Sequence, residues 1–230
     1  MEIKNTNVQN ITITMNSVVS DGLVVYLDAG LPLSYPGSGS TWTDLAGGDS
    51  NATLFNSPTY SSSQGGYLSF NGTNQYGTLA GTPLNLSAYT KCVWFYLNTT
   101  FDNNLISYSD PGGHYMFFGG TNTLYTGHTV WAGFPYTNPS VTTFSNSTWY
   151  FATVTFNTTD GMSLYINNSL DHTYTAIKTA PTAGSVNIAS YSAGGNLLNG
   201  RISQVLLYNR ALTSQEVIQN YNSTKSRYGL

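Results

Sequence analysis

Two glutamates, Glu2 and Glu216, and eight aspartates are all the carboxylates in this chain of 230 residues. Cleaving a glycosidic bond takes two carboxyl groups set roughly 5 to 9 Å apart across a groove. Glu2 stands in the first residues, and Glu216 fits a helix cap. No E-x-D-x-x-E strand pattern occurs, and the aspartates fall mostly in turn sequences such as Asp110-Pro111 and Asp160-Gly161, where the side chain stabilises the turn itself. His114, His128 and His172 stand singly, without the i, i+2 or i, i+4 pairing of a metal site. No serine sits in G-x-S-x-G, and no glycine-rich loop opens a helix. The residues predict a protein without catalytic activity. They leave one kind of recognition open. Sugar rings stack apolar C–H faces on aromatics while amides, carboxylates and histidines meet their hydroxyls. The stretch His128–Asn138 is dense in both kinds of group, so His128, Trp131, Phe134 and Tyr136 are candidate glycan-binding residues, with Asp110 and His114 on a neighbouring loop. The competing reading has Trp131 and Phe134 filling core.

Composition narrows the field. Charged residues are 7% of the chain, against about 25% in an ordinary domain. Aromatics make up 14%, with 18 Tyr and 4 Trp, so the chain can bury a core and is not of the disordered class. A net charge of -3 with seven Lys and Arg argues against nucleic acid and against anionic membrane surfaces. The longest apolar runs, such as Val205-Leu206-Leu207-Tyr208, fall far short of the roughly 20 residues a membrane span needs. Cys92 is the only cysteine, sits in the apolar run Cys92–Tyr96, and reads as a buried small hydrophobe. Met1–Asn5 shows no basic n-region and no apolar stretch follows, so no secretory leader is expected in this chain; either a leader has been removed or the protein reaches its location by assembly, as virion components do. Nine N-x-S/T sequons occur, close to what the Asn, Ser and Thr content gives by chance.

The elements that must hold these residues are strands. From Leu23 on, strand signals recur every 8 to 15 residues: Leu23–Ala29, Tyr67–Asn71, Gln75–Leu79, Thr90–Asn98, Leu105–Tyr108, Tyr115–Phe118, Leu124–Gly127, Trp149–Phe156, Met162–Asn167, Ser185–Ser190 and Arg201–Tyr208. Turn clusters such as Tyr35-Pro36-Gly37-Ser38-Gly39 and Ala193-Gly194-Gly195-Asn196 separate them. Many short strands with almost no helix predict an all-β, two-sheet antiparallel sandwich over residues 23–230. One helix is legible, from Ser214 to about Ser223. Thr213 with Glu216 makes a capping box, Leu212 with Val217 a hydrophobic staple, and Val217, Ile218 and Tyr221 share a face. Residues 1–22 form an edge strand or an assembly arm, in which Ile11, Ile13 and Met15 alternate with threonines.

Ordered motifs then carry a resemblance. Leu27-Asp28-Ala29-Gly30, Ser34–Gly39, Thr41-Trp42-Thr43-Asp44-Leu45, Asn51-Ala52-Thr53-Leu54 and Leu68–Tyr76 are followed by Trp149–Val154, Leu164-Tyr165-Ile166-Asn167, Gly200–Val205 and Tyr208–Leu212. The series resembles laminin-G-like, concanavalin A-like lectin/glucanase domains, of the kind carried by phage and other virion surface proteins. The resemblance implies a jelly roll and, in many members, bound calcium. Members commonly show Phe-Asp-Gly-x-x-Asp-Tyr where this chain has Phe70-Asn71-Gly72-Thr73-Asn74-Gln75-Tyr76, so both acids are amides here. Asp28, Asn71 and Asn74 are the residues left to hold calcium, which prefers charged oxygens; no cofactor is expected. Two functions stand at this level. The first is a structural or decoration protein of a virion or other extracellular surface assembly, partnered by copies of itself or a capsid protein, with weak glycan adhesion. The second is a free-standing lectin or adhesin that binds cell-surface glycans.

Overall fold

A computed structural model describes residues 17–81, 84, 87–100, 102–108, 113–128, 139–181, 184–192 and 194–230. In chain order the strands are β1 (Leu23–Asp28), β2 (Thr41–Trp42), β3 (Ala52–Phe55), β4 (Thr59–Ser61), β5 (Tyr67–Asn71), β6 (Tyr76–Leu79), β7 (Ala88–Leu97), β8 (Asn103–Asn104) and β9 (Ile106–Ser107). There follow β10 (His114–Phe118), β11 (Thr123–His128), β12 (Pro139–Thr143), β13 (Trp149–Asn157), β14 (Gly161–Ile166), β15 (Ser169–Tyr174), β16 (Asn187–Ile188) and β17 (Asn199–Tyr208). A helix, α1 (Ser214–Thr224), and a 3-10 turn at Lys225–Tyr228 follow.

The strands form two antiparallel layers, as the sequence predicts. One layer runs β15-β14-β13-β7-β17-β5-β4, with β1 also paired to β17. The other consists of β2-β3-β6-β16-β9 and β12-β11-β10-β8. These two pieces run into one another through the segment 103–108: Leu105 N donates to Met116 O at 2.9 Å and Tyr108 N to His114 O at 2.8 Å. Between the layers lies a core that includes Val25, Leu27, Val93, Phe95, Met116, Phe118, Val154, Phe156, Val205 and Leu207.

The first sheet is covered on its other face too. Cys92, Trp94, Phe151, Leu206 and Tyr208 point outward and pack under Val217 and Tyr221 of α1 and under Tyr228. Tyr228 stacks on Trp94 with ring centres 4.1 Å apart, and Thr224 Oγ1 accepts from Trp94 Nε1 at 2.8 Å. Burial on both faces explains why the stretches Cys92–Leu97, Trp149–Ala152 and Val205–Tyr208 are apolar without alternation.

The helix starts where the cap cues place it. Thr213 Oγ1 accepts from Glu216 N, and the Glu216 carboxylate accepts from Thr213 N. Its buried face is Val217, Asn220, Tyr221 and Thr224; Ile218, expected on that face, is partly exposed. Residues 17–22, counted with the N-terminal arm on sequence grounds, pack on this helix. Val19 N donates to Asn220 Oδ1 at 2.8 Å, and Tyr208 Oη donates to Val19 O at 3.0 Å. Ile11, Ile13 and Met15 lie outside the described residues.

Six strands were not among those expected: β2, β3, β4, β8, β12 and β15. They are short edge or near-edge segments, most of them carrying Ser, Thr or Asn, in which no apolar run is required.

Candidate functional site

The loop after β1 builds one wall of a cleft. Ser34 Oγ accepts from Asp28 N at 3.0 Å and donates to Thr43 O at 2.7 Å, which folds residues 29–34 back on themselves. Tyr35 is thereby driven into the core, with its hydroxyl donating to Gly39 O at 3.0 Å and its ring 5.6 Å from that of Tyr60. Gly37, at φ 99°, lies against the Tyr60 ring, and an L side chain there would be strained.

The second wall is the turn between β3 and β4. Asn56 and Ser57 both hold left-handed backbone conformations, φ 59° and 53°. Amides keep them there. Gln75 Nε2 donates to Asn56 O at 3.0 Å and Ser57 O at 2.8 Å, and Asn56 Nδ2 donates to Asn74 O at 2.6 Å. A carboxylate at position 75 has no hydrogen to donate and could make neither bond. Leu54 N donates to Ser40 O at 2.7 Å and ties the two walls together.

Between them is a cleft of about 470 Å³ lined by Tyr35, Gly37–Ser40, Leu54 and Asn56–Pro58. Among the described residues, no acidic or basic side chain lines it. Its serine hydroxyls, the Asn56 amide, backbone carbonyls and Tyr35 ring can meet an uncharged, hydroxyl-rich molecule on several sides. Beside it, Phe55 and Tyr76 stack with ring centres 4.6 Å apart and rings nearly parallel at 11°.

The residues singled out from sequence fall elsewhere. Asp110, Trp131, Phe134 and Tyr136 lie outside the described residues. His114 and His128 stand directly opposite one another on β10 and β11. Both face the core side. His114 is fully buried with Nδ1 3.2 Å from Lys91 Nζ, which takes it away from any sugar at the surface. His128 Nε2 lies 2.7 Å from Tyr89 Oη and its Nδ1 2.7 Å from Thr179 O, so Nδ1 must carry the hydrogen and Nε2 accepts. Burial holds its pKa down to about 4.

The three metal candidates are occupied by protein groups. Asn71 Oδ1 accepts from Thr73 N at 2.9 Å and Asn74 N at 3.1 Å, and Asn71 Nδ2 donates to Asn74 Oδ1 at 2.9 Å, an amide-closed turn. Asp28, fully buried, takes both contacts of Arg227 Nη1 at 2.8 Å and one from Gln204 Nε2 at 3.0 Å. Among the described residues no three His, Cys, Asp or Glu gather as a metal centre would require. The family motif Trp42-Thr43-Asp44-Leu45 has a structural use: Asp44 accepts from Tyr26 N at 2.8 Å and Ala46 N at 2.9 Å and fixes the loop after β2.

Sequence reasoning passed over the cleft because Tyr35–Gly39 reads as turn punctuation and Asn56–Pro58 carries no motif of its own. A model of the concanavalin A-like lectin/glucanases superfamily matches residues 71–218. The chain belongs to that superfamily. Among solved structures, this concanavalin A-like chain is similar to domain 4 of AbnA, a GH43 extracellular arabinanase from Geobacillus stearothermophilus, in complex with arabinotriose; the TM-score is 0.68 and identity 15%, over 86% of this chain and 98% of that one. The binding domain of Paraclostridial Mosquitocidal Protein 1 matches with TM-score 0.68 and 19% identity, over 89% of this chain and 52% of that one. Trypanosoma rangeli sialidase matches with TM-score 0.64 and 17% identity; the alignment covers 92% of this chain and spans about a third, 34%, of the sialidase. At these identities the likeness is one of fold. Comparison with curated protein sequences gives no match. No helix among the described residues is long and apolar enough to cross a membrane.

Proposed function

We propose that this chain is a non-catalytic carbohydrate-binding module and that a sugar sits in the cleft between residues 35–40 and 54–58. The observation that carries the reading is the lining of that cleft: hydroxyls, an amide, backbone carbonyls and an aromatic edge, with no charge, in about 470 Å³. Small-ligand sites run from about 300 to 1,000 Å³ and place a few polar groups among apolar walls. Internal hydrogen bonds from Gln75 Nε2 to Asn56 O and Ser57 O hold the Asn56–Ser57 wall without help from a ligand, which favours binding. Two relatives by fold support it: an arabinanase domain solved with arabinotriose and a domain described as a binding domain.

The non-catalytic part rests on how the carboxylates are used. Asp28 serves Arg227, Glu216 serves Arg210 and the helix cap, Asp44 serves a loop, and Asp171 accepts from Val141 N and Thr142 N at the sandwich edge. None of these four is free to protonate a leaving group. A module of this kind belongs at an extracellular, cell or virion surface. There it would add adhesion to whatever body carries it; support for the decoration role comes from the charge-poor composition and the resemblance to domains of virion surface proteins.

Calorimetric titration with neutral oligosaccharides tests the reading. Ser38→Trp fills the cleft from an exposed position and is expected to lower affinity at least tenfold while leaving the melting temperature within about 2 °C. Unchanged affinity in that variant moves the site elsewhere, and a wild-type chain that binds no sugar at millimolar concentration removes the function.

A further inference from the structure

A lysine lies between the two sheets. Lys91, in the middle of β7, points to the same side as Tyr89, Val93 and Phe95 and is fully buried. Its Nζ is 3.2 Å from His114 Nδ1, 3.3 Å from Tyr115 O and 3.5 Å from Ile106 O. These acceptors come from β9 and β10, so one side chain of the first sheet grips both strands at the seam of the second.

The seam is irregular at that place. The bonds from Leu105 N to Met116 O and from Tyr108 N to His114 O set Ile106 and Ser107 against Tyr115 alone, a bulge. Met116 N turns to Ser107 Oγ at 3.4 Å. Lys91 therefore donates to backbone oxygens at the point where the ladder breaks.

The surroundings are basic or neutral. Tyr89, on the same strand, has its ring centre 5.8 Å from Nζ and its hydroxyl on His128. Tyr108 and Tyr115 flank His114 on the second sheet. β13 and β17 present Val154 and Leu207 as the residues paired with Lys91. No carboxylate among the described residues forms an ion pair with it.

An ammonium has only hydrogens to offer, so His114 Nδ1 must accept and the ring must be uncharged while Lys91 is protonated. Protonating both would set two like-charged donors about 3 Å apart in a dry core. Burial already brings Lys91 down to about 7 and holds His114 well below the usual imidazole value, with Lys91 itself adding to the latter.

We propose that the Lys91–His114 contact is an acid-released latch joining the two sheets at the bulged seam, closed while His114 accepts from Lys91 and opened when both groups carry a proton. The sign follows from linkage. A base whose pKa is lower in the fold binds more protons in the open or unfolded chain, so stability rises with pH across that interval. For Lys91 the loss on acidification runs from about 10.5 to about 7 and is over before imidazoles respond. The seam should loosen below about 6.5, the free imidazole value.

Hydrogen exchange read by mass spectrometry between pH 8 and 5, corrected for intrinsic rates, tests this. Protection of residues 103–108 and 114–118 is expected to fall at least tenfold relative to β13 and β14. Lys91→Met removes the charge and should abolish that differential loss; His114→Gln, which keeps an acceptor that takes up no proton, should do the same if Lys91→Met does not fold. A loss spread evenly over both sheets overturns the latch. So does a loss unchanged in the variants, or one abolished by Asp110→Asn or His128→Gln alone. If neither latch variant folds, nitrogen NMR of wild-type imidazoles decides, and a protonated His114 with the seam still protected overturns it.

Discussion

Asp28 and Arg227 meet across 199 residues of sequence and close one side of the buried outer face. Neither sequence pattern nor motif announces the pair. Asp28 stands at a strand end, where an acid is more often a turn or cap acceptor than a metal ligand, and Arg227 falls in a polar tail. Removing one partner leaves a charge buried without its mate. Arg227→Met is expected to cost about 3 kcal/mol, while the double variant with Asp28→Asn should recover much of that loss, as read from urea unfolding. The neighbouring Tyr26 hydroxyl, raised to about 12 by burial and by Asp28, reports the same field and should fall when Asp28 is neutralised. Lys91, by contrast, was legible. Alternation along β7 puts position 91 on the same side as Tyr89, Val93 and Phe95, a lysine in a core row. Its partners were not, because pairing between strands sets them.

The helix is the element most fully written in local sequence. Its cap, its staple and its start at Ser214 all depend on residues within five positions of one another. Arg210 extends the cap, with Nη2 at 2.6 Å from Glu216 Oε1 and Nη1 at 2.9 Å from Oε2. Those bonds, first among the causes, hold the Glu216 carboxyl down to about 2, against 4.5 ordinarily. A depressed carboxyl stabilises the fold above its unfolded pKa and loses that contribution as pH falls towards the folded one. Glu216→Gln is therefore expected to be less stable than wild type at pH 7, by about 1 kcal/mol on the scale of a lost cap. The two denaturation curves should converge between pH 4.5 and 2. The edge strands show the opposite limit. β12 begins with a proline and β15 reads Ser-Leu-Asp-His-Thr-Tyr; each pairs with the strand before it, and only the grip of Asp171 on Val141 N and Thr142 N comes from residues about thirty apart.

For the whole molecule, the two-layer fold and its family were legible because the long strands are apolar on both faces and the motifs come in order. The cleft was not, because loops 35–40 and 54–58 become walls only once the two sheets stand at a fixed distance. The same long-range dependence governs assembly. β17, the last strand, lies between β7, β5 and β1 and completes the first sheet. A chain shortened to residues 17–198 is expected to lack near-ultraviolet dichroism and cooperative melting, although it keeps 16 of the strands. Refolding of the full chain should fall in the millisecond-to-second range of sheet proteins with distant contacts. During synthesis, then, residues 23–198 emerge from the ribosome with their central gap unfilled and their long apolar strands available to chaperones. The nascent polypeptide is expected to stay threadable through a narrow pore until β17, Asn199–Tyr208, appears, a property that leaves export before folding open to it.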